Sequence, residues 1–341
     1  DGGPMPAHAH EDVDSAHRDC TECLVTGEAI DRAALQATLA AAGIDSLVVA
    51  GSSTRVRVHG HAGSPQSLFD ACSAFGHVAA MKADDMVLQQ RSAESPAILA
   101  VVTDSAADLP VAIAERYGIH VVPVRVSLDG RDYLDRLGLT AGEFYRRMAT
   151  SARLPQTSQP PPGDFRRVFD HVLAYQPGAV YVGVARALSG TLQSGETAAR
   201  GRDKPPRCID TGHVCAGQAL LAWRAGEMAM AGADADAIDA ELQRLRPLTR
   251  TWAMARDISH AVRGGRIPRW AEPVVRWSGL TPIAAVSPQG TLKVAGGLFA
   301  RQGAPEAFAR YVAKRTPAAP GWRLIVGHSD ALADGERLLA A

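Results

Sequence analysis

The strongest constraint in this sequence is a series of short apolar runs separated by amphipathic stretches. "AILAVVTDSAADLP" (97–110), "GAVYVGVA" (178–185) and "PPRCIDT" (205–211) each contain a strand-length apolar core. "GTLQSGETAARG" and "AGQALLAWRAGEMAMAG" between and after them space their apolar residues as helices do. Strands buried on both faces read as continuous apolar runs, and parallel strands need crossover helices to connect them. The alternation therefore predicts an α/β fold whose first large domain is a doubly wound parallel sheet. Such sheets take ligands beyond the carboxyl ends of their strands, so chemistry is to be sought in the loops there.

Four loops carry polar chemistry. In "VTDSAADLP", Asp104 and Ser105 follow a buried strand; they either cap the next helix or contact a ligand. In "RALSGTLQSG", Ser189, Gly190 and Thr191 open a helix, where unpaired amides and the helix dipole favour an anion. A plain hydroxyl cap is the alternative there. "LPQTSQPPPGDF" (154–165) sets Thr157, Ser158 and Gln159 before three prolines. Proline fixes its own φ and restricts the residue before it, so this turn-like stretch presents two hydroxyls with little freedom. "RGGRIP" (263–268) places paired glycines between Arg263 and Arg266, suited to forked binding of carboxylate or phosphate or, equally, to a solvated turn.

The 36 basic and 36 acidic side chains cancel, which argues against a wholesale grip on nucleic acid or an anionic membrane. No apolar run reaches 18 residues, so no integral membrane segment is predicted, and a cytoplasmic location is the expectation. Five cysteines in a chain of 341 residues suit reduced thiols or a metal site better than a disulfide framework.

The organisation divides as follows. Residues 1–17 are small, polar and histidine-dotted and read as a flexible leader. Residues 18–91 form a compact β-rich module. In it "DRAALQATLAAAG" is a helix, "DSLVVAG" a buried strand, "RVRVHGH" a period-two strand, and "SPQSLFDACSAFG" a helix capped at Ser64. Residues 92–97, within "RSAESPA", are the linker. The doubly wound domain covers 98–246. A third, mixed α/β unit covers 247–341, with hairpin-like strands in "LTPIAAVSPQGTLKVAGG", a helix near 304–315 and a strand "WRLIVGH". The last residues fall within a helical pattern, so this unit is expected to be incomplete.

In the first module, "HRDCTEC" and "VRVHGHAG" invite a metal reading. His59 and His61, two apart on a strand, share a face, and a thiolate from Cys20 adds a third ligand of a kind zinc accepts. The spacing is not that of a zinc finger, and the single CxxC of Cys20 and Cys23 also fits redox chemistry or mere proximity.

Taken in order, "VVTDSAADLP", "GIHVVPVRVSLDGRDYLD", "PQTSQPPPGDF", "ALSGTLQSGETAA", "CIDTGHVCAGQALLAWRAGEM" and "ISHAVRGGRIP" resemble the DegV family over about 97–341. The resemblance implies fatty-acid binding, with the acyl chain inside a C-terminal α/β domain and its carboxylate presented to a fatty acid kinase for phosphorylation to an acyl phosphate. It assigns the carboxylate to Thr157 and Ser158 and to Ser189 with Gly190 and Thr191. Arg266, and more weakly Arg301, are placed near the head group or the kinase contact. The family's serine after TSQP is Pro161 here, and its closing histidine-bearing stretch lies beyond this chain. "CTEC", "VRVHGHAGSP" and "ADDMVLQQ" resemble the middle module of fatty acid kinase, which implies zinc on Cys20, His59 and His61. The implied partners are thus a long-chain fatty acid and a kinase ATP-binding domain, upstream in the same protein or in another chain. The rival is a hydrolase with Ser189 as nucleophile, although the G-x-S-x-G elbow is missing. A nucleotide-binding protein is less apt still, since "TDSAAD" is not a glycine-rich phosphate loop.

Overall fold

The structure is a computed structural model that describes residues 17–94, 97–265, 267–300, 303–316 and 321–341. The expected leader lies outside the described residues except for His17, as do residues 95 and 96 of the expected linker. The chain divides after Arg91 into two compact units.

The N-terminal unit contains β1 (Asp19–Thr26), α1 (Arg32–Ala41), β2 (Asp45–Gly51), β3 (Arg55–Ala62), α2 (Pro65–Ser73), β4 (His77–Asp85) and the first part of α3 (Met86–Glu94). Residues 92–94, read as linker from their polarity, continue α3. Its four strands form one antiparallel sheet in the order β2-β3-β1-β4. Period-two alternation sends Cys23 and Val25 of β1 and Val56 and Val58 of β3 into the core, which also holds Leu35, Leu39, Leu68, Phe69 and Cys72 of the helices. The opposite face of β1 and β3 is only partly covered. Asp31 caps α1 by accepting from the amides of Ala33 and Ala34. Ser64 makes no such bond, and Pro65 at the first helical position starts α2 instead. β2, expected as a buried strand, is an edge strand with Val48 54% exposed; its apolar run reflects β propensity rather than burial.

The second unit begins with β5 (Leu99–Asp104), α4 (Val111–Arg116), β6 (Ile119–Val122), β7 (Arg125–Leu128), β8 (Arg131–Leu134) and α5 (Ala141–Thr150). It continues with β9 (Gln156–Ser158), α6 (Pro162–Tyr175), β10 (Gly178–Gly183), α7 (Thr191–Ala199), β11 (Arg207–Asp210), α8 (Ala216–Met230) and α9 (Ala235–Leu245). Four strands make an all-parallel sheet, β11-β10-β5-β6, as the sequence pattern requires. Leu99 and Val101 point to one face, against Leu221, Ala225 and Leu242 of α8 and α9. Ala100 and Val102 point to the other, against Phe165 and Phe169 of α6 and Leu192 of α7. Each such fully buried leucine or phenylalanine stabilises the fold by roughly 1.5–3 kcal/mol. The remaining strands form a small antiparallel sheet, β8-β7-β9, over Val126, Leu128, Tyr133 and Leu139.

The unit closes with β12 (Trp252–Met254), α10 (Ser259–Arg263), α11 (Ala271–Ser278), β13 (Leu280–Val286), β14 (Leu292–Phe299), α12 (Ala304–Ala313) and α13 (Leu332–Ala340). β12, β13 and β14 are antiparallel, with β13 in the middle. Large apolar side chains stand in solvent here: Trp270 is 71% exposed, Trp277 84% and Val294 81%. The expected strand at 322–328 is irregular coil. Its apolar residues serve another purpose: Ile325 packs on the core beside α8, while Arg323 lies 4.7 Å over the Trp223 ring and pairs with Glu227 at 2.7 Å.

Candidate functional site

β5 and β10 are neighbours in the parallel sheet, with β6 beyond one and β11 beyond the other, so the strand order reverses between them. Asp104 ends β5 at this point and is fully buried. Its carboxylate accepts from the Tyr181 hydroxyl (2.8 Å), the Val184 amide (3.1 Å), Gln218 Nε2 (3.0 Å) and the Ala106 amide (3.2 Å). Burial pushes its pKa up, against the pull of the Tyr181 and Val184 hydrogen bonds. Of the two readings of this loop, the cap is realised, extended into a brace that joins β5, β10 and α8. Ser105 is likewise engaged, accepting from the Val124 amide at 3.0 Å.

Beyond Val184 the chain turns into α7. The Leu188 and Ser189 amides donate to the Ala185 carbonyl, and Ser189 Oγ accepts from the Thr191 amide at 3.2 Å and lies 2.8 Å from Thr191 Oγ1. Ser189 and Gly190 are half-buried, Thr191 buried. Among the described residues no histidine hydrogen-bonds Ser189, so nothing placed there activates it as a nucleophile. α7 seats closely on β10 because residue 195 is glycine: a Cβ there would fall 2.4 Å from the Tyr181 ring.

Thr157 and Ser158, read as part of a turn, lie on the edge strand β9, with Thr157 opposite Val126 and Ser158 opposite Arg125. The ladder, together with the prolines, fixes them; both are exposed. Beneath them Arg125 donates to buried Asp164, in the first turn of α6, at 2.8 Å. The next residue, Gln159, connects the two hydroxyl-bearing segments. A Cβ on Gly190 would lie 1.9 Å from Gln159 Oε1, so the carboxamide occupies the space that glycine leaves free at the start of α7. The structure thus brings the 157–159 and 189–191 segments into contact. Arg266 and Arg301 lie outside the described residues.

Beside β9 opens a cleft of about 570 Å³, with Arg153, Leu154 and Gln156 on one wall and Val262, Arg263, Arg269 and Glu272 on the other. Only Arg263 among these was singled out in the sequence, because the walls lie more than a hundred residues apart in the chain.

In the N-terminal unit, cross-strand register sets Cys20 opposite His61 and Glu22 opposite His59. One ligand atom each from Cys20, His59 and His61 lies within 4.8 Å of the others, and Cys20 Sγ is 4.0 Å from His59 Nδ1. All three are half-buried. Glu22 Oε1 is 3.5 Å from His59 Nδ1 and its other oxygen 3.4 Å from Lys82 Nζ. Burial opposes the Glu22 charge, yet Lys82 and then His59 outweigh it and hold the carboxyl below its ordinary range. One thiol and two imidazoles on adjacent strands fit a tetrahedral ion such as zinc, and they leave a fourth position to another ligand.

Comparison with known proteins agrees with this division. Residues 17–93 match the family profile of the FakA-like middle domain of fatty acid kinase, and residues 98–341 match that of the DegV family of uncharacterised proteins. A DegV domain-containing protein of Caldanaerobacter subterraneus is 30% identical over 197 residues, 58% of this chain and 70% of the relative. One of Listeria monocytogenes is 32% identical over 173 residues, 50% of this chain and only 60% of the relative. Among known structures, a DegV family protein of Thermus thermophilus described as binding fatty acid superposes with a TM-score of 0.60 at 30% identity, covering 71% of this chain and 88% of that one. A stearic acid-binding protein of Eubacterium ventriosum gives 0.55 at 25% identity, covering 63% and 75%. No helix among the described residues is long and apolar enough to cross a membrane. With its parallel sheet, its TSQ and SGT segments in contact and a profile match over most of its length, the chain belongs to the DegV family, carrying ahead of that domain a middle domain of the fatty acid kinase type.

Proposed function

We propose that this protein binds a long-chain fatty acid, holds the carboxylate with hydroxyls from Thr157, Ser158 and Ser189 at the β9–α7 junction, and presents it to a fatty acid kinase ATP-binding domain for phosphorylation. The observation that carries the reading is the seating of Gln159 against Gly190, which keeps two hydroxyl-bearing segments edge to edge. The fatty-acid-binding neighbours support the ligand class, and the kinase-type middle domain supports the partner. Hydroxyls suit the task because they orient a carboxylate while leaving one oxygen able to accept a phosphoryl group. A cation in direct contact would stabilise the ground state more and speed transfer only if the transition state gained more. Affinity comes from the tail: sixteen carbons contribute on the order of 12 kcal/mol gross at about 0.8 kcal/mol per methylene, before ordering is subtracted. The apolar side chains standing in solvent on α11 and β14 belong to the half of the unit assigned to that tail.

In the middle domain, zinc is assigned to Cys20, His59 and His61. When bound, it would supply a cross-link between β1 and β3, with Glu22 beside the His59 imidazole.

Native mass spectrometry of protein purified from cells tests the carrier reading: a retained long-chain fatty acid mass is expected. Thr157→Ala with Ser189→Ala should lower retention about ten-fold or more with the fold intact by circular dichroism. Bare protein that instead hydrolyses test esters would replace this reading with the hydrolase.

A further inference from the structure

Several arginines of this protein are matched to carboxylates, among them Arg224 to Glu241, Arg337 to Glu306 and Arg202 to Asp170. Arg153, Arg263 and Arg269 are different. Among the described residues none of them makes an ion pair, yet all three line the cleft of about 570 Å³ beside β9. Among the described residues the only acidic side chain lining that cleft is Glu272, and three positive charges against one negative leave it with a surplus of two. A protein whose charges balance overall has thus gathered unmatched guanidinium groups in one concave place.

We propose that this cleft is a binding site for a phosphoryl group carrying about two negative charges, held by Arg153, Arg263 and Arg269. Guanidinium forks match the paired oxygens of a phosphate. A phosphate monoester carries roughly −1.5 to −2 at neutral pH, which meets the surplus, whereas a lone carboxylate would meet half of it. The volume exceeds what a bare phosphate needs, and Leu154 and Val262 give the remaining space apolar walls for whatever the phosphate is attached to. Gln156 lines the cleft from β9, and the period-two alternation of a strand places Ser158 on the same face. The anion cleft therefore lies on the face of β9 that carries Ser158, one of the three hydroxyls assigned to the acyl carboxylate. Its use as the seat of the phosphoryl group before or after transfer rests on the carrier reading above; anion binding itself does not.

Titration calorimetry with inorganic phosphate tests the proposal on the full chain. Wild type should bind, and Arg153→Gln/Arg263→Gln/Arg269→Gln should bind at least ten-fold more weakly. Glu272→Gln should bind several-fold more tightly, while Arg224→Gln, at an arginine already paired elsewhere, should not change. A triple variant that binds like wild type, or an Arg224→Gln loss of the same size, overturns the proposal. Competition then identifies the source of the group: displacement of phosphate at lower concentration by tripolyphosphate indicates a nucleotide, by hexyl phosphate a phosphorylated lipid, and displacement by neither overturns the site. Retained fatty acid is read on the same samples by native mass. Protein that holds fatty acid but no phosphate defeats the cleft alone, whereas protein that holds phosphate but no fatty acid defeats the carrier reading and leaves the cleft standing.

Discussion

The cysteine and histidine cluster of the N-terminal unit and the hydroxyl-bearing junction of the DegV unit hold their side chains by different means. Cys20, His59 and His61 sit in register on two neighbouring strands, and the ladder that pairs Cys20 with His61 also sets the distance between their ligand atoms. Thr157 and Ser189 come from segments 32 residues apart, one on an edge strand and one at a helix start, and those segments touch where Gln159 fits the space over Gly190. A ladder tolerates the loss of one side chain without moving its neighbours. A junction that depends on a filled space transmits each change in volume to the partner segment.

The sharpest way to separate the two is to strip the first. Cys20→Ala/His59→Ala/His61→Ala should take zinc from about one per chain to none by elemental analysis while leaving fatty-acid retention unchanged. Zinc absent from freshly purified wild type removes the cluster from the comparison. Next in size is Gly195→Val, which drives a branched side chain into the Tyr181 ring 2.4 Å from the new Cβ. Overpacking costs typically about 1–3 kcal/mol, so the urea midpoint should fall and retention with it. The third change acts on the junction itself. Gly190→Ala should reduce retention several-fold by displacing Gln159, and adding Gln159→Ala should restore part of the loss. Two independent, additive losses would show that the segments do not touch as described.

The smallest expected effect concerns the brace behind the junction. Burial raises the Asp104 pKa, so the folded chain keeps a proton that the unfolded chain has released. Its contribution to stability is fully present below the ordinary carboxylate pKa and is lost as pH rises from there through the folded value. Asp104→Asn should flatten the fall in urea midpoint between acid and neutral pH, and a slope identical to wild type would count against the raised pKa.

The same contrast governs what the sequence made legible. The parallel strands announced themselves because burial on both faces leaves an unbroken apolar run, as in "LAVVTD" and "AVYVG". The Cys20, His59 and His61 set was visible because two of its members are two residues apart on one strand. The pairing of Thr157 with Val126 was not, since a three-residue ladder across 31 positions leaves no local pattern; the prolines disclosed rigidity but not the strand. Arg125 with Asp164 and the walls of the arginine cleft were hidden for the same reason. β2 and 322–328 misled in the opposite direction, because an apolar run records a preference for extended backbone and not which neighbour, if any, covers it.

All five tryptophans, at 223, 252, 270, 277 and 322, fall in the second unit and none in the first. Excitation of the indoles therefore reports on side chains of the second unit alone. Trp270 and Trp277, largely exposed, should emit at long wavelength, and any lipid or protein that settles over them should shift that emission to the blue without a label being attached.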